Sequence, residues 1–338
     1  MKNIFNFVQN YRSMDYIDII RKSFAEEFEL FDRYLRDSIK ADNPRVMKIV
    51  DYVFKTDGKR VRPMLVFLTA RACGEISVAT YHGAVTVELL HTATLIHDDV
   101  VDESELRRGR PSVNALFDNQ RAVLCGDYLL SSALRESVKT QNLEIIAIIA
   151  QLGQNLSAGE LNQYALANEV IVDEKEYFRV IEEKTASLLH ACAKIGAITG
   201  GGKREDVDKF GTLGKLLGLS FQIRDDIFDY YTSDVGKPTG NDIREGKITL
   251  PLIYALRSAP KEVSDRMRKL IDERDYSAEN IEMLLSFAKE YKGIEYAQAK
   301  THELLSQAET LVDALSFEDE ETEHLMKLLI LYLKNRSF

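Results

Sequence analysis

Two short acidic clusters carry the residues best suited to chemistry in this sequence. Asp98, Asp99 and Asp102 form a DDxxD pattern, and the same pattern recurs in the stretch FQIRDDIFDY. Residues four apart lie on one face of a helix, so the first and last carboxylates of each cluster should project together. Two such carboxylates repel by about 4 kcal/mol at roughly 4 Å and an effective dielectric of about 20. Hard divalent cations offset that repulsion, and Mg2+ typically lies between one or two carboxylates and substrate phosphates.

The second cluster decides between a solvated acidic patch and a metal site. Its spacing matches that of the first cluster, and it lies in another apolar, helix-like stretch. A single cluster would favour the solvated patch, whereas two copies on otherwise apolar helices are expected to point into a cavity. The predicted metal ligands are Asp98, Asp99, Asp102, Asp225, Asp226 and Asp229.

Basic residues near the acidic clusters suggest pockets for anions. The segment GKRVRP at 58–63 places three cations beside a glycine, and its proline can start a helix whose free backbone N–H groups face the same anion. Taken alone, this segment could also be a basic turn between helices. Arg107 and Arg108 follow the first acidic cluster in an expected exposed loop, 103–111. Because adjacent residues point different ways, these two arginines could serve two anions.

The acidic clusters, GKRVRP at 58–63 and GKPTGNDIREGKITLP at 236–251 together resemble the motifs of the trans-type polyprenyl diphosphate synthases. The resemblance is strongest to the long-chain octaprenyl and heptaprenyl types, and it extends from the forties to the C-terminus. It implies an all-α fold, a single-domain antiparallel helical bundle of the isoprenoid synthase type around a central cavity. Residues 1–338 would form this one domain, with 1–14 as a loosely ordered N-terminal extension.

The resemblance implies a prenyltransferase that adds isopentenyl diphosphate units head to tail to an allylic diphosphate such as farnesyl diphosphate. Mg2+, as three ions with substrate bound, would assist ionisation, and fixed cations would stabilise the charge that develops on the departing diphosphate. No enzyme nucleophile is needed, which fits the absence of a Ser/His/Asp or Cys/His constellation from the sequence. The catalytic residues implied in this way are Asp98, Asp102, Arg107, Lys184, Asp225 and Lys237.

The resemblance also divides the polar residues between the two substrates. His91 lies two helical turns before Asp98, on roughly the same face. A lone histidine on an apolar helix is more often a core residue, but the resemblance favours the site. The isopentenyl diphosphate would contact Lys59, Arg62, His91 and Arg108, with Arg60 left open. The allylic diphosphate would contact Arg107, Lys184, Thr185, Gln222, Lys237 and Lys247.

Product length should depend on the depth of the cavity below the metals. Ala93 and Thr94 lie about one turn before Asp98, where short-chain members of the family tend to carry a large aromatic residue. Their small side chains predict a long product, roughly C30 to C50, since each isoprenoid unit needs about one helical turn (~5 Å) of depth. A quinone side chain would be a suitable use for it. The cavity floor is expected on another helix, at Leu130, Leu134 or Tyr164.

Three other functions stay open. A short-chain farnesyl or geranylgeranyl diphosphate synthase would share every motif. A terpene cyclase shares the helical fold but usually has a degenerate second metal motif, whereas the second cluster here is intact. An inactive partner subunit would lose the aspartates, and this chain keeps all six. Members of the family usually pair through long helices, so a homodimer is expected.

Composition excludes several function classes. The 338 residues carry a net charge of −10, which disfavours a general nucleic-acid surface. The cysteines Cys73, Cys125 and Cys192 are far apart and lack metal-ligand spacing, so they should be small buried hydrophobes in a reducing compartment. No signal-peptide pattern is visible, and no stretch approaches the ~20 apolar residues that span a bilayer. We therefore expect a cytoplasmic protein without a transmembrane segment.

The elements that position these residues are expected to be helices almost throughout. Few β-branched alternations and only six prolines argue against sheet. Asn43 and Pro44 predict an N-cap and a first-turn proline, for a helix that should end at Gly58. A loop with Lys237 and Lys247 should cover 236–250. Other helices are expected at 15–40, 63–73, 78–103, 120–138, 141–168, 173–199, 204–233 and within 251–336.

Overall fold

The computed structural model describes four stretches of the chain: 15–55, 58–169, 172–231 and 239–335, without the side chains of 166–169. The expected N-terminal extension at 1–14 and the expected diphosphate contact Lys237 lie outside the described residues. Within these stretches, no helix combines the length and the apolar character that crossing a membrane requires.

Helices make up almost all of the regular structure in the described residues, which confirms the all-α fold predicted from the sequence. Up to the first acidic cluster they are α1 (Tyr16–Ser23), α2 (Ala25–Ser38), α3 (Pro44–Val53), α4 (Val61–Cys73) and α5 (Val78–Val101). The next are α6 (Val113–Phe117), α7 (Asn119–Lys139), α8 (Leu143–Glu169), α9 (Glu174–Ile181), α10 (Ser187–Thr199) and α11 (Arg204–Phe228). The last are α12 (Asn241–Arg244), α13 (Leu250–Ser258), α14 (Lys261–Asp272), α15 (Ala278–Glu290), α16 (Gly293–Asp313) and α17 (Glu320–Asn335).

The first predicted helix, 15–40, is divided into α1 and α2 at Phe24. This residue has a non-helical φ of −119°, and its ring is fully buried, 6.1 Å from the ring of Phe67. Tertiary burial of the ring therefore takes precedence over the helical pattern of the sequence.

Helix α3 begins where the sequence predicts it and ends earlier. The Asn43 side chain accepts a hydrogen bond from the Arg45 backbone N–H at 2.9 Å, as an N-cap residue does. The helix ends at Val53, short of the predicted end at Gly58. Phe54 and Gly58 instead line a cavity.

A two-stranded hairpin replaces the exposed loop predicted at 103–111. Strands β1 (Leu106–Arg107) and β2 (Arg110–Pro111) pair antiparallel. The turn between them is Arg108-Gly109, with φ of 53° and 73°, and a two-residue type I′ turn needs positive φ at both positions. The segment is mostly exposed, as predicted, but its strand pairing was not predicted, because an arginine stands where Asn or Asp usually signals this turn.

A π-helical turn, Glu182–Ala186, interrupts the helix predicted over 173–199. Such turns insert one extra residue into an α-helix and are frequent at functional sites. This one carries Lys184 and Thr185, both predicted to contact the allylic diphosphate. Gly159 of α8 allows the close approach, because a Cβ there would lie 2.9 Å from the Lys184 backbone nitrogen.

The chain divides into two compact units, each assembled from separate segments. The first takes its described residues from Met1–Gly153, Leu188–Gly214 and Ala314–Leu329, and it contains the first acidic cluster and the hairpin. The second takes them from Gln154–Ser187, Lys215–Asp313 and Ile330–Phe338, and it contains the second acidic cluster. The single domain over 1–338 stays a prediction.

An aromatic core holds together the first unit. The Phe67 ring of α4 lies 5.5 Å from that of Phe28 and 5.7 Å from that of Tyr81, measured between centroids. Burying each aromatic side chain contributes about 1.5–3 kcal/mol. Because Tyr81 belongs to α5, this packing fixes the helix that carries the first acidic cluster.

An aliphatic core anchors α11 in the second unit. Ile223 and Ile227 lie one helical turn apart and are at most 3% exposed, in a cluster that includes Leu252 and Leu284. With this stripe of α11 buried, the direction of the neighbouring carboxylates of the second acidic cluster is fixed.

Candidate active site

An arginine-rich cavity lies in the first unit, where the end of α3, the C-terminal half of α5 and the hairpin meet. The apolar part of its lining includes Leu95, Ile96 and Val113. The charged part has four arginines and two carboxylates, which leaves a net charge of +2. These charged residues are Arg60, Arg107, Arg108, Arg110, Glu88 and Asp99. Such a cavity suits a small ligand with an anionic head and an apolar group.

The two hairpin arginines point in different directions, which confirms the prediction from their adjacency. Arg107 donates two hydrogen bonds to Asp99, one of them from Nε at 2.9 Å. Arg108 extends toward Gly58, where an added Cβ would lie 2.8 Å from Nη1 of the guanidinium. Arg107 is therefore fixed to a motif carboxylate, whereas Arg108 is an exposed residue that lines the cavity beside Gly58.

Tyr52 of α3 secures the hairpin from the other side. Its hydroxyl donates a hydrogen bond to the backbone oxygen of Pro111 at 2.6 Å. The guanidinium of Arg110 lies 4.5 Å from the centroid of the Tyr52 ring, within cation–π range. Sequence analysis missed this residue, because nothing in the sequence places α3 against the hairpin.

The basic segment before α4 separates into residues with different roles. Arg60, left open by the sequence, donates to Glu88 at 2.6 Å, and the two side chains are 7% and 10% exposed. Among the described side chains, Arg62 Nε and Glu88 Oε2 are buried without a hydrogen-bond partner. Burial lowers the pKa of Arg62, and the charge of Glu88 opposes that change. A buried donor left unsatisfied is unfavourable by about 1–3 kcal/mol, so an anion at Arg62 would stabilise this arrangement.

His91 lines the arginine-rich cavity, as the resemblance implies. Burial lowers the pKa of His91 well below its ordinary value of 6.5, and the charges of Arg62, Arg108 and Arg107 lower it further. The imidazole is therefore neutral at pH 7 and can donate one N–H to an anionic oxygen. Lys59 is exposed and, like Arg62, is not among the residues that line this cavity.

The first acidic cluster ends α5. Asp98 is half-buried, Asp99 is 3% exposed and Asp102 is exposed as the C-cap residue. The Asp102 backbone N–H donates to the Asp98 carbonyl at 2.8 Å, so the helical spacing persists to the last acid. Asp98 and Asp102 therefore keep the i, i+4 relation that the sequence predicts, while Asp99 is already paired with Arg107.

A carboxylate-rich cavity lies in the second unit. Its charged lining consists of three aspartates and two lysines: Asp173, Asp226, Asp242, Lys184 and Lys247. Thr185 and Gln222, both predicted contacts of the allylic diphosphate, also line it. The structure thus brings together in one cavity Lys184, Thr185, Gln222, Asp226 and Lys247, all predicted from the sequence.

A chain of hydrogen bonds ends at Asp226 in this cavity. The Thr185 hydroxyl donates to Gln222 Oε1 at 2.8 Å. Gln222 Nε2 donates to Asp226 Oδ1 at 2.8 Å, which confirms that these two side chains share a helix face. The hydroxyl of Tyr177 donates to Asp226 Oδ2 at 2.6 Å. Burial raises the pKa of Tyr177 well above 10, and the charge of Asp226 raises it further, so the hydroxyl keeps its proton.

Asp229 lies beyond the end of α11, which stops at Phe228 and not at the predicted residue 233. Its two carboxylate oxygens accept the backbone N–H groups of Asn241 and Asp242, each at 3.0 Å. The chain leaves the helix early because this carboxylate stabilises the N-terminal turn of α12. The predicted metal role of Asp229 stays a prediction.

The carboxylates of the second unit fit a divalent cation. Burial raises the pKa of Asp226, and the charge of Asp225 raises it further. Burial also raises the pKa of Asp242, together with the charges of Asp226 and Asp229. Crowded acids of this kind need positive charge nearby. No group of three or more His, Cys, Asp or Glu side chains in the described part of the chain forms a metal cage alone, and Mg2+ commonly takes its other ligands from water and substrate phosphates.

The two lysines of this cavity are held by neighbouring acids. Lys184 forms an ion pair with Glu160 at 2.6 Å and donates to Gln163 Oε1 at 3.2 Å. Lys247 forms an ion pair with Glu245 at 2.5 Å. Sequence analysis missed Glu160 and Gln163, because their contact with Lys184 depends on the π-helical turn.

The predicted chain-length residues lie on α5. Ala93 is 1% exposed, and the Thr94 hydroxyl donates to the His91 carbonyl at 2.9 Å. Leu134 and Tyr164, two of the three candidates for the cavity floor, are 47% and 68% exposed. Such exposed side chains do not enclose a tunnel in the single chain, so the half-buried Leu130 is the better candidate.

Comparisons with a family model and with known proteins both point to the polyprenyl synthetases. Residues 43–288 match the family model of the polyprenyl synthetases. The chain is 34% identical to the octaprenyl diphosphate synthase of Haemophilus influenzae over 93% of this chain and 96% of that protein.

Three solved structures are similar in fold. A decaprenyl diphosphate synthase from Rhodobacter capsulatus is 32% identical over 95% of this chain and 99% of its own, with a TM-score of 0.90. A polyprenyl synthase from Caulobacter crescentus, complexed with calcium and isoprenyl diphosphate, is 27% identical over 95% and 98%, with a TM-score of 0.85. A geranylgeranyl pyrophosphate synthase from Bacteroides thetaiotaomicron is 36% identical over 95% and 99%, with a TM-score of 0.81.

Proposed function

This chain belongs to the polyprenyl synthetase family and is a trans-prenyltransferase; we propose that it adds isopentenyl diphosphate head to tail to an allylic diphosphate and makes a long-chain product. The observation that carries this proposal is the arginine-rich cavity, whose lining also includes His91 and apolar residues. A net positive charge beside a small apolar surface is what isopentenyl diphosphate requires, and neither a cyclase nor an inactive subunit needs such a cavity.

The isopentenyl diphosphate would be bound by residues of the first unit. Arg62 has a buried Nε that lacks a partner, and Arg108 lines the cavity. The neutral His91 would donate its N–H to a phosphate oxygen. Lys59, exposed on the same segment as Arg62, would add charge from the solvent side. The apolar lining residues would receive the isopentenyl chain and exclude water from it.

The allylic diphosphate would be bound by lysines of the second unit and by Arg107. Lys184 and Lys247 would have to exchange Glu160 and Glu245 for phosphate oxygens. Thr185 and Gln222 would complete the contacts, together with Lys237 from outside the described residues. Their fixed positive charge would stabilise the diphosphate as it departs, and the isopentenyl double bond would then attack the allylic carbon. The departing diphosphate is the expected acceptor of the proton that is lost.

Divalent cations would neutralise the diphosphate and make it a better leaving group. Mg2+ fits the oxygen donors of this chain, because burial and the charges of neighbouring carboxylates raise the pKa of Asp226 and of Asp242. The proposed ligands are the two acidic clusters, Asp98, Asp99 and Asp102 with Asp225, Asp226 and Asp229. That three ions bind, and that both clusters serve one diphosphate, stay predictions from the sequence.

A long product is supported by relatives named as octaprenyl and decaprenyl synthases. The short-chain alternative is supported by a similar structure named as a geranylgeranyl synthase. The small Ala93 and Thr94 support a product of about C30–C50, at one helical turn (~5 Å) for each unit. A quinone side chain and a cytoplasmic location stay predictions.

Incubation of the protein with Mg2+, farnesyl diphosphate and labelled isopentenyl diphosphate, followed by chromatography, tests the proposal. We expect Mg2+-dependent incorporation that continues beyond C20. Products that stop at C20 would establish the short-chain alternative. A cyclic product formed from farnesyl diphosphate alone would establish a cyclase, and no turnover at all would favour the inactive subunit.

Ala93→Phe tests the residue proposed to leave the tunnel open. The larger ring should shorten the product while the first condensation continues. Leu65→Phe, at an equally buried position on α4, controls for overpacking of the core. If the length distribution of Ala93→Phe equals that of the wild type, the tail does not pass this residue.

A second copy of the chain is the proposed partner. Helix α7 exposes Val123, Leu124, Leu134 and Val138 by 40–66%, and their spacing places them on one side of the helix. Exposed apolar stripes of this kind mark association surfaces. Sedimentation should show a dimer in the wild type and a monomer in Leu124→Glu. A monomeric wild type would exclude the proposal.

A further inference from the structure

The carboxylate of Asp226 is held from both sides before any ligand binds. Asp226 is 5% exposed. Its Oδ1 accepts from Gln222 at 2.8 Å, and its Oδ2 accepts from Tyr177 at 2.6 Å. Two donors on two different oxygens fix the rotation of the carboxylate group as well as its position.

The two donors come from different elements. Gln222 lies one turn before Asp226 on the same helix, α11, and could follow any movement of that helix. Tyr177 lies on α9, is 7% exposed and packs in the same apolar cluster as Ile223 and Ile227. Of these two donors, only the tyrosine comes from a second helix, so its bond fixes Asp226 directly relative to α9.

We propose that Tyr177 is a positioning residue for metal binding, which holds the Asp226 carboxylate in the orientation that a divalent cation requires. The proposal rests on the proposed function, in which the second acidic cluster binds Mg2+. Each carboxylate oxygen has two lone pairs, so a bond from Tyr177 leaves one free to face a cation. Hydrogen-bond partners of metal ligands commonly change metal affinity by about 10–100-fold.

The same helix that carries Tyr177 leads into the π-helical turn with Lys184 and Thr185. Thr185 donates to Gln222 Oε1, and this bond orients the amide so that Nε2 faces Asp226. The motif carboxylate is thus positioned at both oxygens by residues from one continuous segment, 177–185. The sequence does not indicate the contact between Tyr177 and Asp226, because the two residues lie 49 positions apart.

Tyr177→Phe removes the hydroxyl and keeps the ring. Tyr230→Phe is the matched control, because Tyr230 is also buried in the same cluster but its hydroxyl bonds Thr249 at 2.9 Å. Binding of inorganic diphosphate, titrated calorimetrically at increasing Mg2+, measures the metal requirement without turnover. Steady-state kinetics then gives the Mg2+ concentration for half-maximal rate and the KM for isopentenyl diphosphate.

For Tyr177→Phe we expect the Mg2+ requirement to rise about tenfold in both assays, with an unchanged KM for isopentenyl diphosphate. The control should lose a similar amount of thermal stability and keep the wild-type Mg2+ requirement. Equal Mg2+ requirements in Tyr177→Phe and the wild type would overturn the proposal, and so would an equal rise in both variants. If the wild type itself needs no Mg2+, it is the proposed function that fails, and the two failures are therefore distinct.

Discussion

The arginine-rich cavity and the carboxylate-rich cavity differ in the sign of the net charge of their lining residues. In the first, arginines outnumber carboxylates by two, and Glu88 and Asp99 are each paired with one of them. In the second, aspartates outnumber lysines, and burial and the charges of neighbouring carboxylates raise the pKa of Asp226 and of Asp242. The first can bind an anion with protein groups alone, whereas the second needs added positive charge before an anion can approach.

Under the proposed function, this difference would let one chain bind two diphosphates in different ways. A substrate that keeps its diphosphate would be bound by fixed arginines, which do not change the leaving group. A substrate that must lose its diphosphate would be bound near carboxylates, which would hold metal ions that stabilise the developing charge. The two cavities should therefore respond differently to the same kind of substitution.

Removing an acid of the second cluster should have the largest effect. Asp225→Asn keeps the size of the side chain and removes its charge, so kcat should fall on the order of 1000-fold, because metal-assisted departure of the diphosphate is lost. Steady-state rates at saturating substrates measure the change. Asp265→Asn, at an exposed position of α14, is the control. A kcat within a few-fold of the wild type would show that the carboxylate-rich region does not bind the essential metal.

Removing an arginine beside the first cavity should affect binding of one substrate. Arg62→Gln should raise the KM for isopentenyl diphosphate roughly 10–100-fold, since a charge-assisted hydrogen bond contributes about 1.5–3 kcal/mol. The KM for the allylic substrate should change little. Kinetics with each substrate varied in turn separates the two, and equal increases in both KM values would contradict the division between the cavities.

Loosening the hairpin should have a smaller effect of the same kind. Tyr52→Phe deletes the bond to Pro111 and keeps the ring beneath Arg110. One neutral hydrogen bond contributes about 1 kcal/mol, so the KM for isopentenyl diphosphate should rise about fivefold. Tyr128→Phe is the matched control, because its hydroxyl also donates to a backbone carbonyl of the first unit, that of Lys40 at 3.0 Å. The prediction fails if both variants shift this KM equally.

The smallest expected effect concerns the pH dependence of stability. Burial and nearby arginines keep His91 neutral in the folded chain, whereas the unfolded chain protonates it below about pH 6.5. Stability is therefore lost as pH falls below 6.5, by about 1 kcal/mol between pH 7.5 and 5.5 for this residue. His91→Gln should lack that part of the loss when urea unfolding is compared at the two pH values, and His302→Gln, at an exposed position, should retain it. An unchanged loss in His91→Gln would place His91 in a solvated environment.

The helices and several polar residues of the two cavities, such as His91, Lys184 and Asp226, could be predicted from the sequence, because helical periodicity and the paired acidic motifs are local patterns. Long-range contacts could not. Tyr177 and Glu160 contact Asp226 and Lys184 only because α9, α8 and α11 pack together around a π-helical turn. Glu88 could have been predicted from the sequence, since it is an acid on an apolar helix one turn before His91, but sequence analysis overlooked it.

Binding of each substrate in the presence and absence of metal tests the central difference most directly. Calorimetric titration of the wild type with isopentenyl diphosphate and, separately, with the unreactive farnesyl thiolodiphosphate would be done in Mg2+ and again in EDTA. We predict that isopentenyl diphosphate binds with similar affinity in both, and that the allylic analogue loses more than tenfold in EDTA. An allylic analogue that binds equally well without metal, or an isopentenyl diphosphate that requires it, would contradict the account.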